Sequence, residues 1–263
     1  MMLLLKLTLA PLLVAAATLA VRKWGARAGG LLLGLPLTTG PIFLFLAIDQ
    51  GPHFAAGATV GILFGLIGLA AFAVTYVAAS GRAGWTASLA SATAAFFIFS
   101  AGVRRLGNDV AFAALAAWLA LMLAAFLIGR PEPGTPGAAP PWWDLWVRML
   151  AVATLTLAIT AAAARVGPTL SGILGTYPVA ITAVIAFTHV QLGRNAASSM
   201  LRGSVLSWIS FVSCFLVIGL TLEVLGISVA IGLGMFAAVA TSVLVLCADR
   251  VLAPVNVRSN RSV

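Results

Sequence analysis

Again and again this chain runs for about twenty residues without a charged side chain, as from Val110 to Ile128 and from Leu225 to Cys247. That is the length an α-helix needs to cross a hydrocarbon core about 30 Å thick. Of the 263 residues, 62% are hydrophobic and 8% charged, whereas soluble domains carry about 25% charged residues. A water-soluble domain is therefore excluded, and the sequence predicts an all-α integral membrane protein.

Nine spans are expected, near Met2–Val21, Gly29–Ile48, Phe54–Ala79, Gly84–Val103, Val110–Ile128, Leu145–Ala164, Leu170–Leu192, Ala196–Leu220 and Leu225–Cys247. The first is read as a retained helix and not a signal peptide, because Arg22 and Lys23 follow its apolar run instead of preceding it. Between the fifth and sixth spans, residues 130–144 hold a Pro/Gly-rich stretch whose backbone cannot be satisfied in lipid. It divides the chain into residues 1–129, with five spans, and residues 145–263, with four spans and a short basic tail. Trp142, Trp143 and Trp146 follow the last of its prolines, Pro141, and place the start of the sixth helix at headgroup level.

Fifteen Lys and Arg face six Asp and Glu, but these charges are scattered between apolar runs, which argues against nucleic acid as a partner. They orient the chain instead. With the amino end outside and the carboxyl end in the cytoplasm, eleven basic residues fall inside: Arg22, Lys23, Arg27, Arg82, Arg130, Arg148, Arg194, Arg202, Arg250, Arg258 and Arg261. Four remain outside, Lys6, Arg104, Arg105 and Arg165, as the positive-inside rule prefers. Cys214 and Cys247 lie in apolar segments and define neither a metal site nor a disulfide framework.

Set against itself at an offset of 142 residues, the sequence aligns Gly25 with Gly167, Gly30 with Gly172, Pro36 with Pro178, Phe45 with Phe187, Gly51 with Gly193 and Gly61 with Gly203, without a gap. Glycine is 26 of 263 residues, so four Gly pairs in so short a window exceed chance and point to a duplication. An odd number of spans in the first copy makes the second enter from the opposite face. The expectation is two inverted-topology repeats, five spans plus four, related by a pseudo-two-fold axis in the membrane plane.

The run from Gly29 through Pro36 to Thr39, with Asp49-Gln50-Gly51, resembles the second helix of the GlpM family and allied small bacterial membrane proteins. So does the run from Gly172 through Tyr177-Pro178 to Phe187-Thr188-His189 and Gly193. The resemblance implies a fusion of two such units in a bacterial cytoplasmic (inner) membrane, and it implies no activity and no site residues.

Pro36 and Pro178 interrupt equivalent helices, each removing one backbone hydrogen bond, so that carbonyls near Leu32 and Leu174 lose their helical partner. Such carbonyls either face a solute at the repeat interface or are satisfied by a neighbouring side chain. Thr38 and Thr39 follow the first break and Thr182 the second; their hydroxyls line a polar path or bond back to their own helices. Tyr177, His189 and Asp49 complete the candidate binding set. Arg202, a turn and a half into the eighth span, reads as a snorkelling side chain, and Glu223 as a loop charge. Gly57, Gly61 and Gly65 form a stripe that admits a close helix neighbour.

Catalytic, metal-ligand and cofactor motifs are not found: there is no Walker loop, HExxH, GxSxG or Cys/His ligand spacing. The chain reads as a non-enzymatic transport protein for a small solute or ion, working by alternating access or facilitated diffusion among membrane lipids. A lipid-handling flippase or lipid-binding protein and a non-transporting accessory subunit are the alternatives, and a homodimer is compatible with any of them.

Overall fold

The computed structural model describes residues 2–33, 43–44, 47–48, 50–103, 105, 107, 109–130, 143–163 and 168–251. Among them the regular elements are all helical: α1 Met2–Trp24, α2 Ala26–Leu33, α3 Pro52–Ser80, α4 Trp85–Val103, α5 Val110–Ile128, α6 Asp144–Ala163, α7 Pro168–Thr176, α8 Val179–Leu225 and α9 Ile227–Val251. Five runs in this set are long and apolar enough to cross a membrane: α3, α4, α5, Ile173–Leu225 and Ile227–Asp249. The chain is thus helical and suited to a bilayer. The Pro/Gly-rich linker at 131–142 lies outside the described residues.

Local chemistry sets the helix ends. Pro52 occupies the first turn of α3, where its missing N–H costs nothing. Asp109 caps α5 by accepting the Phe112 N–H at 2.8 Å. Gly129 (φ 62°) follows α5, and Gly226 (φ 78°) follows α8, in conformations that side chains with a β-carbon rarely adopt. At 47 residues, a straight α8 would be about 70 Å long, more than twice the hydrocarbon core. Gly193 (φ 80°, ψ 174°) breaks it into segments 179–192 and 194–225. Gly51, immediately before α3, has almost the same backbone angles (φ 84°, ψ 167°).

The helix starts keep a register. α1, α2, α3 and α4 begin at Met2, Ala26, Pro52 and Trp85; α6, α7, the second segment of α8 and α9 begin at Asp144, Pro168, Arg194 and Ile227, each 142 residues later. In α3 every residue from Ala58 to Ala70 is buried, and in α8 every residue from Gly203 to Val212. Helices that are apolar all round belong at the centre of a bundle, and these two pack against each other. α4, α5 and α9 surround them and turn large apolar side chains outward, among them Ile98, Leu119, Phe126, Phe236 and Leu244. In a bilayer those faces meet lipid.

The short helices cross over. α2 packs on α8, and α7 packs on α3. The approach is close enough to require glycine at both crossings: a β-carbon on Gly203 would collide with the Arg27 carbonyl oxygen, and one on Gly61 with the Thr169 carbonyl oxygen. Arg27 and Thr169 are 142 residues apart, as are Gly61 and Gly203, so the two contacts are the same contact made twice. Gly65 continues the stripe, with the Thr176 side chain 2.6 Å from where its β-carbon would stand. Gly61 and Gly65 thus lie in a packing seam, as their spacing suggests.

Candidate functional site at the Tyr177–Pro178 break

α7 stops at Thr176 and α8 starts at Val179, so the chain breaks at Tyr177 and Pro178. Pro178 (φ −80°, ψ 61°) is buried. Without an N–H it cannot bond to the Leu174 carbonyl, but that carbonyl is not left open: the Tyr177 N–H donates to it at 3.2 Å. This differs from the expectation of an unpaired carbonyl, because a tightened last turn supplies the donor that the proline lacks. The Val179 N–H then donates to the Tyr177 carbonyl at 2.8 Å, and the Thr182 N–H to the Pro178 carbonyl at 2.9 Å. The break is sharp and internally bonded.

Tyr177 reaches away from its own helix. Its hydroxyl lies 3.0 Å from the Thr93 hydroxyl on α4, its ring stacks parallel to Phe97, and Phe96 meets it edge-on. Thr182 is buried, and its hydroxyl donates to the Val179 carbonyl at 2.7 Å, the back-bonding arrangement. His189 sits further along α8, with Nδ1 3.0 Å from the hydroxyl of the fully buried Tyr76 on α3. Seven residues separate Thr182 from His189, about 10 Å along a helix. The structure therefore places Tyr177, Pro178, Thr182 and His189 along one stretch of chain, with Tyr177 against α4 and His189 against α3. The other four sequence candidates, Pro36, Thr38, Thr39 and Asp49, lie outside the described residues.

Before the first proline, the described part of α2 supplies a contrast. The Gly30 carbonyl accepts the Ser204 hydroxyl at 3.0 Å, and the Leu31 carbonyl accepts the Ser207 hydroxyl at 2.8 Å. Both serines are on α8, three residues apart, on the face that meets α2. Two backbone acceptors of α2 are thus held by side chains of α8. The residues 142 positions before these serines are Ile62 and Gly65, which offer no hydroxyl.

Two further polar clusters were not anticipated as sites. Arg148 on α6 is only 3% exposed; its guanidinium donates to the Gln191 side-chain oxygen at 2.9 Å and lies 4.7 Å from the Phe187 ring centre. Phe187 and Gln191 are one turn apart on α8 and present one face to it. In the sequence Arg148 counts only among the eleven basic residues assigned to the cytoplasmic side, and nothing local marks it as buried. The second cluster surrounds Asp249 on α9, which is 8% exposed. Arg27, Arg130 and Arg202 all pair with its carboxylate.

Arg202 does more than snorkel. One guanidinium nitrogen is 3.1 Å from Asp249, and the other donates to the Ala125 carbonyl at 2.8 Å and to the Gly129 carbonyl at the end of α5. A cation at a helix carboxyl end also faces the negative pole of its dipole. Glu223 is in the last turn of α8, not in a loop, and its carboxylate is 3.1 Å from the exposed His53 ring on α3. Comparison with protein-family models, curated proteins and solved structures finds no match for this chain.

Proposed function

We propose that the chain is a transport protein of the bacterial inner membrane that moves a small solute or ion, and that its nine spans form two inverted-topology repeats of five and four. The observation that carries this reading is the reciprocal crossing of Arg27 on Gly203 and Thr169 on Gly61. The common register of the helix starts and the matched angles of Gly51 and Gly193 support it too. In this reading the halves are fused units of the kind the GlpM resemblance implies. The extra fifth span returns the chain to the side from which the second half starts inverted.

The transport inference follows from where the breaks fall. Each short helix belongs to one half by sequence and to the other by packing, so a tilt of one half against the other shifts both breaks at once. A solute held between the breaks would be exposed first to one side and then to the other. Pro36, Thr38, Thr39 and Asp49 belong to this reading on the first side, and Tyr177, Pro178, Thr182 and His189 on the second. Serine-anchored carbonyls on α2 and the hydroxyl-free mate positions on α3 make the second break the freer of the two.

Cysteine accessibility tests it. With Cys214 and Cys247 replaced, single cysteines at positions 39 and 182 are exposed to a membrane-impermeant thiol reagent, which requires a thiolate and hence water. Thr182 is 5% exposed in this conformation, so labelling at 182 requires a second one. Labelling of both positions, from opposite sides and in competition with each other's state, is the expected result. Inertness of both in folded protein removes the transport reading and leaves an accessory subunit. Reporter fusions after Val263 and near Gly137 are expected to place both points in the cytoplasm; a linker outside with the tail inside would overturn the inversion.

A further inference from the structure

We propose that His189 and Tyr76 form a proton-binding site, and that the proton taken up there is the ion whose movement is coupled to that of the solute. This rests on the transport reading and adds the coupling ion to it. Among the described residues the Tyr76 hydroxyl has one hydrogen-bond partner, His189 Nδ1 at 3.0 Å, and the tyrosine is fully buried. A buried phenol hydrogen that loses its acceptor is costly. Neutral His189 satisfies it: Nδ1 accepts the Tyr76 O–H, and the ring carries its own hydrogen on Nε2. A protonated ring carries hydrogens on both nitrogens and accepts none. The added proton belongs on the atom that the Tyr76 hydrogen already occupies, so protonation and this contact exclude each other.

The placement of His189 lets a proton arrive. Unlike Tyr76 the ring is half-buried, and it lies in the last turn before the Gly193 break, where the unpaired carbonyls of a helix end favour a cation. The break is a sharp return. Thr188 donates to Met200 Sδ at 3.9 Å, although twelve residues of straight helix would separate them by about 18 Å. His189 thus stands at the bend between segments 179–192 and 194–225, and its contact with α3 bridges residues 1–129 and 145–263.

The charged groups around the bend are fixed in charge. Arg148 on α6 meets the same turn through Gln191 and Phe187, and Arg194 lies against Gly81 at the end of α3. His53 on α3 pairs with Glu223 at the other end of that helix, and Arg27 of α2 with Asp249 of α9. Arg250 is also on α9, and α1 carries Lys6, Arg22 and Lys23, whereas α4 and α5 carry no charged side chain. Arginine does not titrate in the range where histidine does, so a change between about pH 5 and 8 at this bend belongs to His189. Neutral His189 supports the packing described here, and protonated His189 favours one in which the ring has left Tyr76. Coupling requires that kind of difference between two states. The residue 142 positions before His189 is the buried Ala47, so the proton loads the second break alone. It enters from water on one side, stays on the ring while the contact is open, and returns to water on the other side.

The test uses the full-length protein in nanodiscs with nitrogen-15 in its histidines, of which the chain has two; His53→Gln assigns the ring signals. His189 is expected to hold its hydrogen on Nε2 at alkaline pH and to titrate once between about pH 5 and 8. In Tyr76→Phe it is expected to protonate about fivefold more readily, the factor equivalent to one neutral hydrogen bond. A His189 ring that keeps one protonation state across that range overturns the proton site, and so does an unchanged titration in folded Tyr76→Phe. A second arm labels the single cysteine at position 182, each rate divided by that of free cysteine at the same pH. Labelling is expected to rise toward acid pH with His189 present and to be flat in His189→Gln. The same pH dependence in both overturns the coupling. Should His189→Gln not fold, the labelling curve of Tyr76→Phe is expected to shift with its titration, and a curve left at the wild-type position overturns the coupling. No labelling at 182 in any condition, beside an intact His189 titration, overturns the transport reading and the coupling with it, and leaves the proton site standing on the first arm.

Discussion

The carbonyl oxygen of Thr169 occupies the place that a side chain on Gly61 would need, and the carbonyl oxygen of Arg27 does the same to Gly203. Both obstacles are backbone, which cannot rotate out of the way. Gly61→Leu and Gly203→Leu are therefore each expected to destabilise the protein by at least about 1–3 kcal/mol, the usual cost of overpacking. Thermal unfolding in detergent reads the loss. Wild-type stability in either variant would show that its crossing is looser than described.

Open space is a different matter from permitted conformation. A β-carbon on Gly51, Gly193 or Gly232 would touch nothing within 4 Å. Gly51 and Gly193 nevertheless hold φ near +80° with ψ near 170°, a region essentially reserved for glycine. Gly51→Ala and Gly193→Ala are expected to cost about 1–3 kcal/mol each. Gly232→Ala, inside α9, is expected to be neutral or to stabilise by about 0.5–1 kcal/mol. Unfolding midpoints of the three variants check this ordering, and equal midpoints would refute it.

The two serine bonds to α2 can be removed without creating a large cavity. Ser204→Ala and Ser207→Ala are each expected to cost about 0.6 kcal/mol, the average for hydrogen bonds between membrane helices. Their main consequence is on α2, whose Gly30 and Leu31 carbonyls lose these acceptor roles. Faster amide exchange in α2 of the double variant, at unchanged exchange in α4, is the result that links the serines to that helix. Uniform change across both helices would mean only a general loss of stability.

Arg202 is expected to be far less replaceable than Arg27. Arg202→Gln leaves Asp249 and the carbonyls of Ala125 and Gly129 with fewer partners, and breaking a buried pair costs about 3–5 kcal/mol. Arg202→Lys should recover only part of this, because one ammonium cannot hold the fork geometry of two guanidinium nitrogens. Arg27 is 43% exposed, so Arg27→Gln is expected to cost about 0–1 kcal/mol. Unfolding midpoints should rank the three accordingly; a full rescue by lysine would count against the fork.

The helical membrane architecture is legible in the sequence because charge-free runs leave no other solution, and boundaries such as Val110–Ile128 coincide with the observed α5. The Gly61 seam is equally legible, since a four-residue glycine spacing places every member on one helix face. The polar clusters are not. Asp249 and Arg148 sit near the ends of their helices, where a charge is inexpensive, and burial is decided by partners 47 and 43 residues away along the chain. Leu174 shows a subtler gap: a proline tells that a helical bond is lost, but not that the preceding N–H shifts to replace it.

The crossed packing of α2 on α8 and of α7 on α3 also constrains how the protein is made. As the ribosome delivers the first half, α2 has α1 beside it but lacks α8, and the glycine seam of α3 stays uncovered until α7 emerges from synthesis. Neither half can finish folding alone. Biogenesis must therefore hold an unfinished bundle in the bilayer until most of the chain has been translated, and a message cut at the linker would yield two fragments that recover structure only when both occupy the same membrane.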